Sequence, residues 1–379
     1  MRVIVVGAGV FGVWTAFHLR AAGCRVTLVD AYGAGNSRSS SSDESRILRC
    51  GYGPDEIYSR LAARSLEAWR ACAARVRASI WHPCGVLWMA AGDDAYTAAT
   101  RRTLQDQGLP HLVLDAAALR RRYPQFSAAG ITMALLEPEC GVVMARRAVR
   151  LLAAELAEGG VRLMRARVRE IVASGPLRAV PLDGGGDLAA DAFVFACGAW
   201  LPQLFPRALH GRIRPTRQVV VFFGVPAGDE RFGAAHAPAW IDFPAGIYGV
   251  PDLEGRGVKI GLDQHGPPIV PDDDDRVPDE ASLAKARAWL RRRAPAMADA
   301  PVVETRVCQY ESTATGDFLI DRHPDHANVW VVGGGSGHGF KHGPAVGELA
   351  AGLVTSRTAV GEPRFAFAGK TRQAHRTVF

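Results

Sequence analysis

The apolar positions of this chain follow two rhythms. Short unbroken runs predict buried strands, and spacings of three and four predict helices. The chain opens on a run, Val3-Ile4-Val5-Val6, that leads directly into Gly7-Ala8-Gly9. Val13, Ala16, Phe17 and Arg20 then recur at helical spacing over residues 11–22, with Gly23 as the stop. Val26-Thr27-Leu28-Val29 predicts a second strand ending on Asp30. The polar stretch 36–46 reads as a linker or as a loop returning toward the second strand, and Leu61, Leu66 and Trp69 mark the helix after it. Residues 80–136 read as mixed, with Pro83, Gly85 and Gly92 punctuating short strands. Val149, Leu152 and Leu156 share one face of a helix that stops at Gly159-Gly160. A strand over 163–171, a hairpin turn at Gly184-Gly185-Gly186 and a buried strand over 193–196 follow. Strand-like alternation returns over 219–223, 247–250 and 258–261. The acidic run 272–275 between Pro271 and Pro278 reads as a solvated surface loop, and a helix covers 281–293. Residues 305–379 resume the α/β pattern, with a strand at 329–332, a glycine loop at 333–339 and a helix at 345–354. No internal repeat is found.

The first thirty residues carry chemistry as well as rhythm. Strand, glycine turn, helix, strand and acid are the context that a dinucleotide-binding fingerprint requires. Gly7 permits the tight turn, Gly9 a close approach to a pyrophosphate, and Gly12 close packing of helix on strand. Val10 and Phe11 open the helix, whose N-terminus offers N–H groups to phosphate. Asp30, eighteen residues after Gly12, is placed to accept from a ribose. This unit does not separate NAD from FAD.

Composition narrows the class. A chain of 379 residues with 48% apolar and 22% charged residues suits a globular enzyme of two domains. The net charge of +7 is spread along the chain, which argues against a nucleic-acid surface. The seven cysteines (24, 50, 72, 84, 140, 197 and 308) include no C-x-x-C, so neither a disulfide framework nor a zinc site is expected, and a reducing, cytoplasmic setting is. No membrane span is expected, and residues 376–379 carry no lipidation or peroxisomal signal.

Seven segments then point to one family: GAGVFG at 7–12, ESRILR at 44–49, FACGAW at 195–200, Tyr248-Gly249, VKIG at 258–261, VCQY at 307–310 and GGGSGHGFK at 333–341. In order and spacing they resemble the monomeric sarcosine oxidase family of flavin amine oxidases, within the D-amino-acid-oxidase-like group. The resemblance implies FAD, a secondary-amine or amino-acid substrate, and O2 reduced to H2O2. It also implies a monomer or weak dimer. The implied fold is α/β plus α+β: a Rossmann-like FAD domain (1–80, 138–212 and 305–379) with an inserted substrate domain on a mostly antiparallel sheet (81–137 and 213–304).

Roles are implied residue by residue. Cys308 matches the cysteine joined by a thioether to the flavin, although Ser41 and Ser42 stand where relatives often carry histidines. Lys259, alone in its strand, matches an oxygen-activating cation. Arg49 and Lys341 match a carboxylate clamp, Arg46 an arginine near the flavin ring, and Tyr248 and Tyr310 pocket tyrosines. The implied cofactor contacts also include Ser42, Val168, Cys197, Gly198, Trp200, Gly335, Gly337, His338, Gly339, Phe340 and Lys341. Backbone N–H groups of residues 337–340 are expected at the flavin N1–O2 edge. No metal is implied. Asp263 departs from the family histidine at this place; it either turns to solvent, the simpler reading, or favours a substrate with an extra amine. The alternatives are a flavin dehydrogenase passing electrons to a carrier, a non-catalytic dinucleotide-binding protein, and an NAD enzyme.

Overall fold

The structure is a computed structural model describing residues 1–91, 94–172, 174–356 and 361–371. Gly92 and residues 376–379, both read above, lie outside the described residues.

The opening apolar run becomes the strand Arg2–Val6, inside a six-stranded sheet ordered Leu319–Arg322, Val329–Gly333, Ala192–Phe195, Arg2–Val6, Arg25–Asp30, Arg162–Arg165. Only the first pair is antiparallel. The run is continuous because both faces are covered: Val3 and Val5 face one apolar cluster, Ile4 and Val6 another. The helix Val10–Ala21 leaves the glycine turn and packs against Gly343–Val354, where a Cβ on Gly347 would lie 2.5 Å from the Trp14 backbone.

A second sheet of eight strands runs Val302–Thr313, Ile213–Phe223, Val258–Leu262, Ile247–Val250, Ala239–Asp242, Val86–Ala90, Met133–Glu137, Leu112–Leu114. Its pairs are antiparallel except Ala239–Asp242 with Val86–Ala90. The mixed α/β architecture is therefore the expected one. The division expected at 304/305 falls inside the strand Val302–Thr313.

Two local expectations are corrected and a third is filled in. Ala95–Asp106 and Ala116–Arg122 are helices, not individually foreseen, within the region read as mixed. The first buries Thr97, Thr100 and Thr103, so its inward face carries threonines rather than an apolar stripe. The strand read over 163–171 stops at Arg165, and beyond it only Val168 makes a bridge, to Leu182. The acidic run is only partly a solvated loop: Asp273 and Asp275 are exposed, but Asp272 and Asp274 turn inward. Asp274 is buried against Arg217, and Asp272 accepts from Tyr32 Oη at 2.8 Å, Trp200 Nε1 at 3.1 Å and Arg167 Nη1 at 3.1 Å. Among the described residues no helix is long and apolar enough to cross a membrane.

Candidate cofactor cleft and substrate cavity

The glycine turn forms one end of a cleft with about 1160 Å³ of empty space, part of it open to solvent. Gly7 has φ +100°, and a Cβ there would lie 2.4 Å from Ala196 O; on Gly12 it would lie 1.7 Å from Gly7 O. Only glycine lets strand, turn and helix approach this closely. Gly7, Gly9, Val10, Phe11 and Asp30 line the cleft from this side. Val168, Cys197, Gly198 and Trp200 line it from a second, and Gly335, Gly337, Gly339 and Phe340 from a third. Asp30 already accepts from the N–H groups of Ala8, Tyr32 and Gly33, each at 2.8 Å. Its carboxylate therefore shapes the turn, and burial raises its pKa against those donors.

Several implied contacts sit elsewhere. Gly12 packs behind the turn. Ser42 donates to Ser37 O, and its neighbour Ser41 faces the cleft instead, its Oγ accepting from Val10 N at 3.0 Å. The polar stretch thus returns to the helix N-terminus. Cys308 is buried but lines neither cavity; burial raises its thiol pKa, and Asp43 adds to that while Arg46 and Lys259 oppose it. The N–H groups of His338 and Gly339 both donate to Gly335 O, so the loop has already engaged two of the amides expected at the flavin edge.

A second cavity, about 1250 Å³ with its open part, shares Arg46, Tyr310, Gly337 and Phe340 with the cleft. Lys259, Arg46, Arg49, Tyr248, Tyr310 and Lys341 all line it. Lys259 is buried; its Nζ contacts the Asp43 carboxylate and donates to Ser45 O at 2.8 Å. Arg46 contacts the same Asp43 oxygen. Burial alone would raise the Asp43 carboxyl, but Lys259 and Arg46 outweigh it and hold its pKa well below the ordinary value. Burial in turn lowers the Lys259 pKa against the pull of Asp43. With both partners protonated the trio carries one net positive charge.

Arg49 and Lys341, far apart in sequence, meet at Tyr52. The Arg49 guanidinium lies 4.2 Å above the Tyr52 ring and 4.7 Å above Trp88. Lys341 Nζ donates to Tyr52 Oη at 2.8 Å and to His338 O at 2.9 Å. Burial, with Arg49 nearby, lowers the Lys341 pKa well below the usual ammonium range. The His338 ring stacks on Phe318 at 4.9 Å and faces Tyr52, so it belongs to this cavity rather than to the cleft. Asp263 lines the cavity too and is half-buried there, so the solvent it meets is that of the cavity.

Several contributors were not read from sequence. Trp69 stacks on Phe340 at 5.5 Å and donates to Lys341 O at 2.9 Å, fixing two adjacent site residues. Glu311 lines the cleft, accepts from Ser40 Oγ at 2.7 Å and is pushed up to about 7 by burial. Cys50, Glu137 and Cys140 offer ligand atoms within 4.8 Å of one another. The Glu137 carboxylate already accepts from Cys50 N, Gly51 N and Trp88 Nε1, so it holds the backbone beside Arg49. The sequence signal available for Tyr52 was only an aromatic residue three places after the 44–49 segment, and Trp69 was readable only as a core position of its helix.

The cleft fits a dinucleotide. Glycines line each of its three sides, a helix N-terminus faces it, and Arg46 stands where it meets the second cavity. A Cβ on Gly337 would sit 2.6 Å from the Tyr310 ring, so side chains are excluded where the two spaces join.

Comparison with known proteins agrees. The chain is 32% identical over 367 residues to a monomeric sarcosine oxidase of Bacillus sp. (strain B-0618), covering 94% of this chain and 93% of that protein. It is 27% identical to an N-methyl-L-tryptophan oxidase of Yersinia pestis (strain Pestoides F), covering 92% and 93%. Its fold is similar to L-proline dehydrogenase from P. horikoshii, with TM-score 0.87, 20% identity and 99% coverage of both chains. A fructosyl peptide oxidase thermally stable mutant is similar with TM-score 0.85, 20% identity, and coverage of 99% and 96%. The model of the FAD dependent oxidoreductase family matches residues 2–353, and the chain belongs to that family.

Proposed function

We propose that the protein is an FAD-dependent oxidase of N-substituted or cyclic amino acids, forming an imine at a C–N bond with O2 as electron acceptor. The observation that carries this reading is the convergence of Arg49 and Lys341 on Tyr52, in a cavity contiguous with the cofactor cleft. The two named oxidase relatives, whose names specify sarcosine and N-methyl-L-tryptophan, support it.

Bound FAD supplies the two-electron acceptor for the C–N bond and delivers the electrons to O2. The glycine turn, the helix N-terminus at Val10 and the Gly335–Phe340 segment would hold it. Arg49 offers a guanidinium fork and Lys341 a point charge, a pair suited to one carboxylate. An arriving carboxylate favours the protonated form of Lys341, which burial disfavours in its absence. Tyr248 and Tyr310 border the space in which the substrate carbon would lie. Lys259 places a buried cation on the same cavity, in keeping with an acceptor that gains negative charge. Its contact with Asp43 tempers that charge, which favours the carrier-linked dehydrogenase as the second reading. Cys308 is the proposed thioether attachment point, supported by its place two residues before Tyr310 and by the opposing charges of Arg46 and Lys259. The seven free cysteines are in keeping with a cytoplasmic setting.

The test is a peroxide-coupled screen of N-methyl amino acids, proline and pipecolate with purified protein. Peroxide formation with bleaching of the flavin supports the oxidase. Bleaching by substrate followed by slow recovery in air assigns the dehydrogenase instead. A colourless protein without a flavin spectrum overturns both. Acid precipitation tests the linkage: a yellow pellet from wild type and a white one from Cys308→Ser are expected, and a white wild-type pellet rejects it.

A further inference from the structure

Three adjacent strands of the eight-stranded sheet end together at the substrate cavity. Asp242 pairs with Ile247 and Ile247 with Leu262, and the next residue, Asp263, donates from its N–H to Gly246 O at 2.9 Å. Side chains alternate along a strand, so Asp242 points with Trp240 onto the helix Glu280–Arg293, on the face away from the cavity, and Asp263 is the acid that lines it. Asp242 Oδ2 takes donors from Trp289, Arg292 and Arg293, while Oδ1 is buried with no hydrogen-bond partner among the described residues. The Asp263 side chain has neither hydrogen bond nor ion pair among the described residues, and its charge acts on both Arg49 and Lys341. The rings of Tyr96 and Phe243 stack at 4.9 Å and line the same space as Asp263.

Asp263 is a carboxylate on the cavity wall with no donor of its own, so a ligand group rich in N–H donors answers it, and stacked rings accept that group's methylene stem or its charge. Charge points the same way. Arg49 and Lys341 suit an α-carboxylate, but an apolar side chain would then desolvate Asp263 with nothing to pair it. A side chain ending in a cation avoids this.

We propose that the cavity selects amino acids whose side chain ends in an ammonium or guanidinium, held by Asp263 while Arg49 and Lys341 hold the α-carboxylate. This rests on the function proposed above.

The test uses anaerobic holoenzyme and three probes: Nα-methyl-L-lysine, Nα-methyl-L-arginine and the neutral Nα-methyl-L-norleucine. Binding is read from perturbation of the flavin absorbance and, separately, from thermal shift. Either cationic probe is expected to bind at least about tenfold more tightly than the neutral one, the fold-change of one charged hydrogen bond. Asp263→Asn should collapse that ratio toward one, and Asp263→Glu should retain most of it. Equal binding of all three by wild type, or a ratio unchanged in Asp263→Asn, overturns the proposal and leaves the amino-acid oxidase reading standing. If no probe, and no other N-methyl amino acid, perturbs the flavin, the oxidase reading fails and this proposal with it.

Discussion

Lys341 donates its ammonium to the hydroxyl of Tyr52 at 2.8 Å, and the same ring lies beneath the guanidinium of Arg49. One aromatic side chain thus spaces two of the cations that line the substrate cavity. Its hydroxyl is held in turn by His342 Nε2 at 2.7 Å and His338 Nδ1 at 3.2 Å. His338 Nε2 faces Gly316 O at 3.0 Å and is assigned the ring proton, which leaves Nδ1 to accept.

Replacing Tyr52 by Phe keeps the ring under Arg49 and removes the hydroxyl from Lys341. A hydrogen bond to a charged group contributes about 1.5–3 kcal/mol. We expect KM for an amino-acid substrate to rise about tenfold or more, with kcat changing less, as for loss of ground-state positioning. Steady-state kinetics on Tyr52→Phe checks this, and an unchanged KM would show that Tyr52 does not position the clamp.

Lys259→Met removes one of the two cations on Asp43. Breaking a fully buried pair costs about 3–5 kcal/mol. Arg46 remains, so a loss of about 2–3 kcal/mol is expected in urea unfolding. On the oxidase reading, reaction of the reduced enzyme with O2 slows by roughly 10²–10³-fold, while its reduction by substrate changes far less. Rapid-mixing measurement of the two half-reactions separates these effects; equal slowing of both would remove Lys259 from the oxygen step.

How much of this was legible follows from where each interaction lies along the chain. The glycine turn was readable because Gly7, Gly9, Gly12 and Asp30 are local, and their φ angles and close approaches explain them one by one. Lys259 was readable because a lone lysine interrupts an apolar strand. Its partner Asp43 was not, being 216 residues away in a serine-rich stretch read only as a linker or a returning loop. Glu311 meets Ser40 across 271 residues, and nothing local distinguishes it from a surface acid. The acidic run misled for the same reason: Asp272 and Asp274 are answered by Arg217, Arg167, Tyr32 and Trp200, none of them nearby in sequence.

Asp272 fastens its loop to three residues that line the cofactor cleft, Tyr32, Arg167 and Trp200. Asp272→Ala leaves those donors to water. In a Cys308→Ser background, where no thioether can retain the flavin, we expect FAD affinity to fall about tenfold, the worth of one or two hydrogen bonds to a charged group. Equilibrium dialysis of the double variant against Cys308→Ser measures it. Equal affinities would show that the fastening does not reach the cofactor.

Glu311 gives the sharpest pH dependence. Burial pushes its carboxyl from 4.5 up to about 7, against the donors of Ser40 and Gly335. A carboxyl with a higher pKa folded than unfolded prefers its proton in the folded state. Its contribution is complete below pH 4.5 and disappears as pH rises through 7. The shift corresponds to about 3 kcal/mol. Asp43 has the opposite sign: Lys259 and Arg46 hold its pKa down, so its contribution is present above 3.8 and lost only in stronger acid. Between pH 5 and 8 the two therefore do not overlap. Urea unfolding at the two ends of that window should show wild type losing about 3 kcal/mol more than Glu311→Gln, whose amide keeps a donor toward the cleft and has no proton to release. Subtracting the variant cancels the histidines and every other group that titrates in the window. Parallel pH profiles would mean that Glu311 is already ionised at pH 5, stabilised by Ser40 and Gly335 more strongly than burial opposes it.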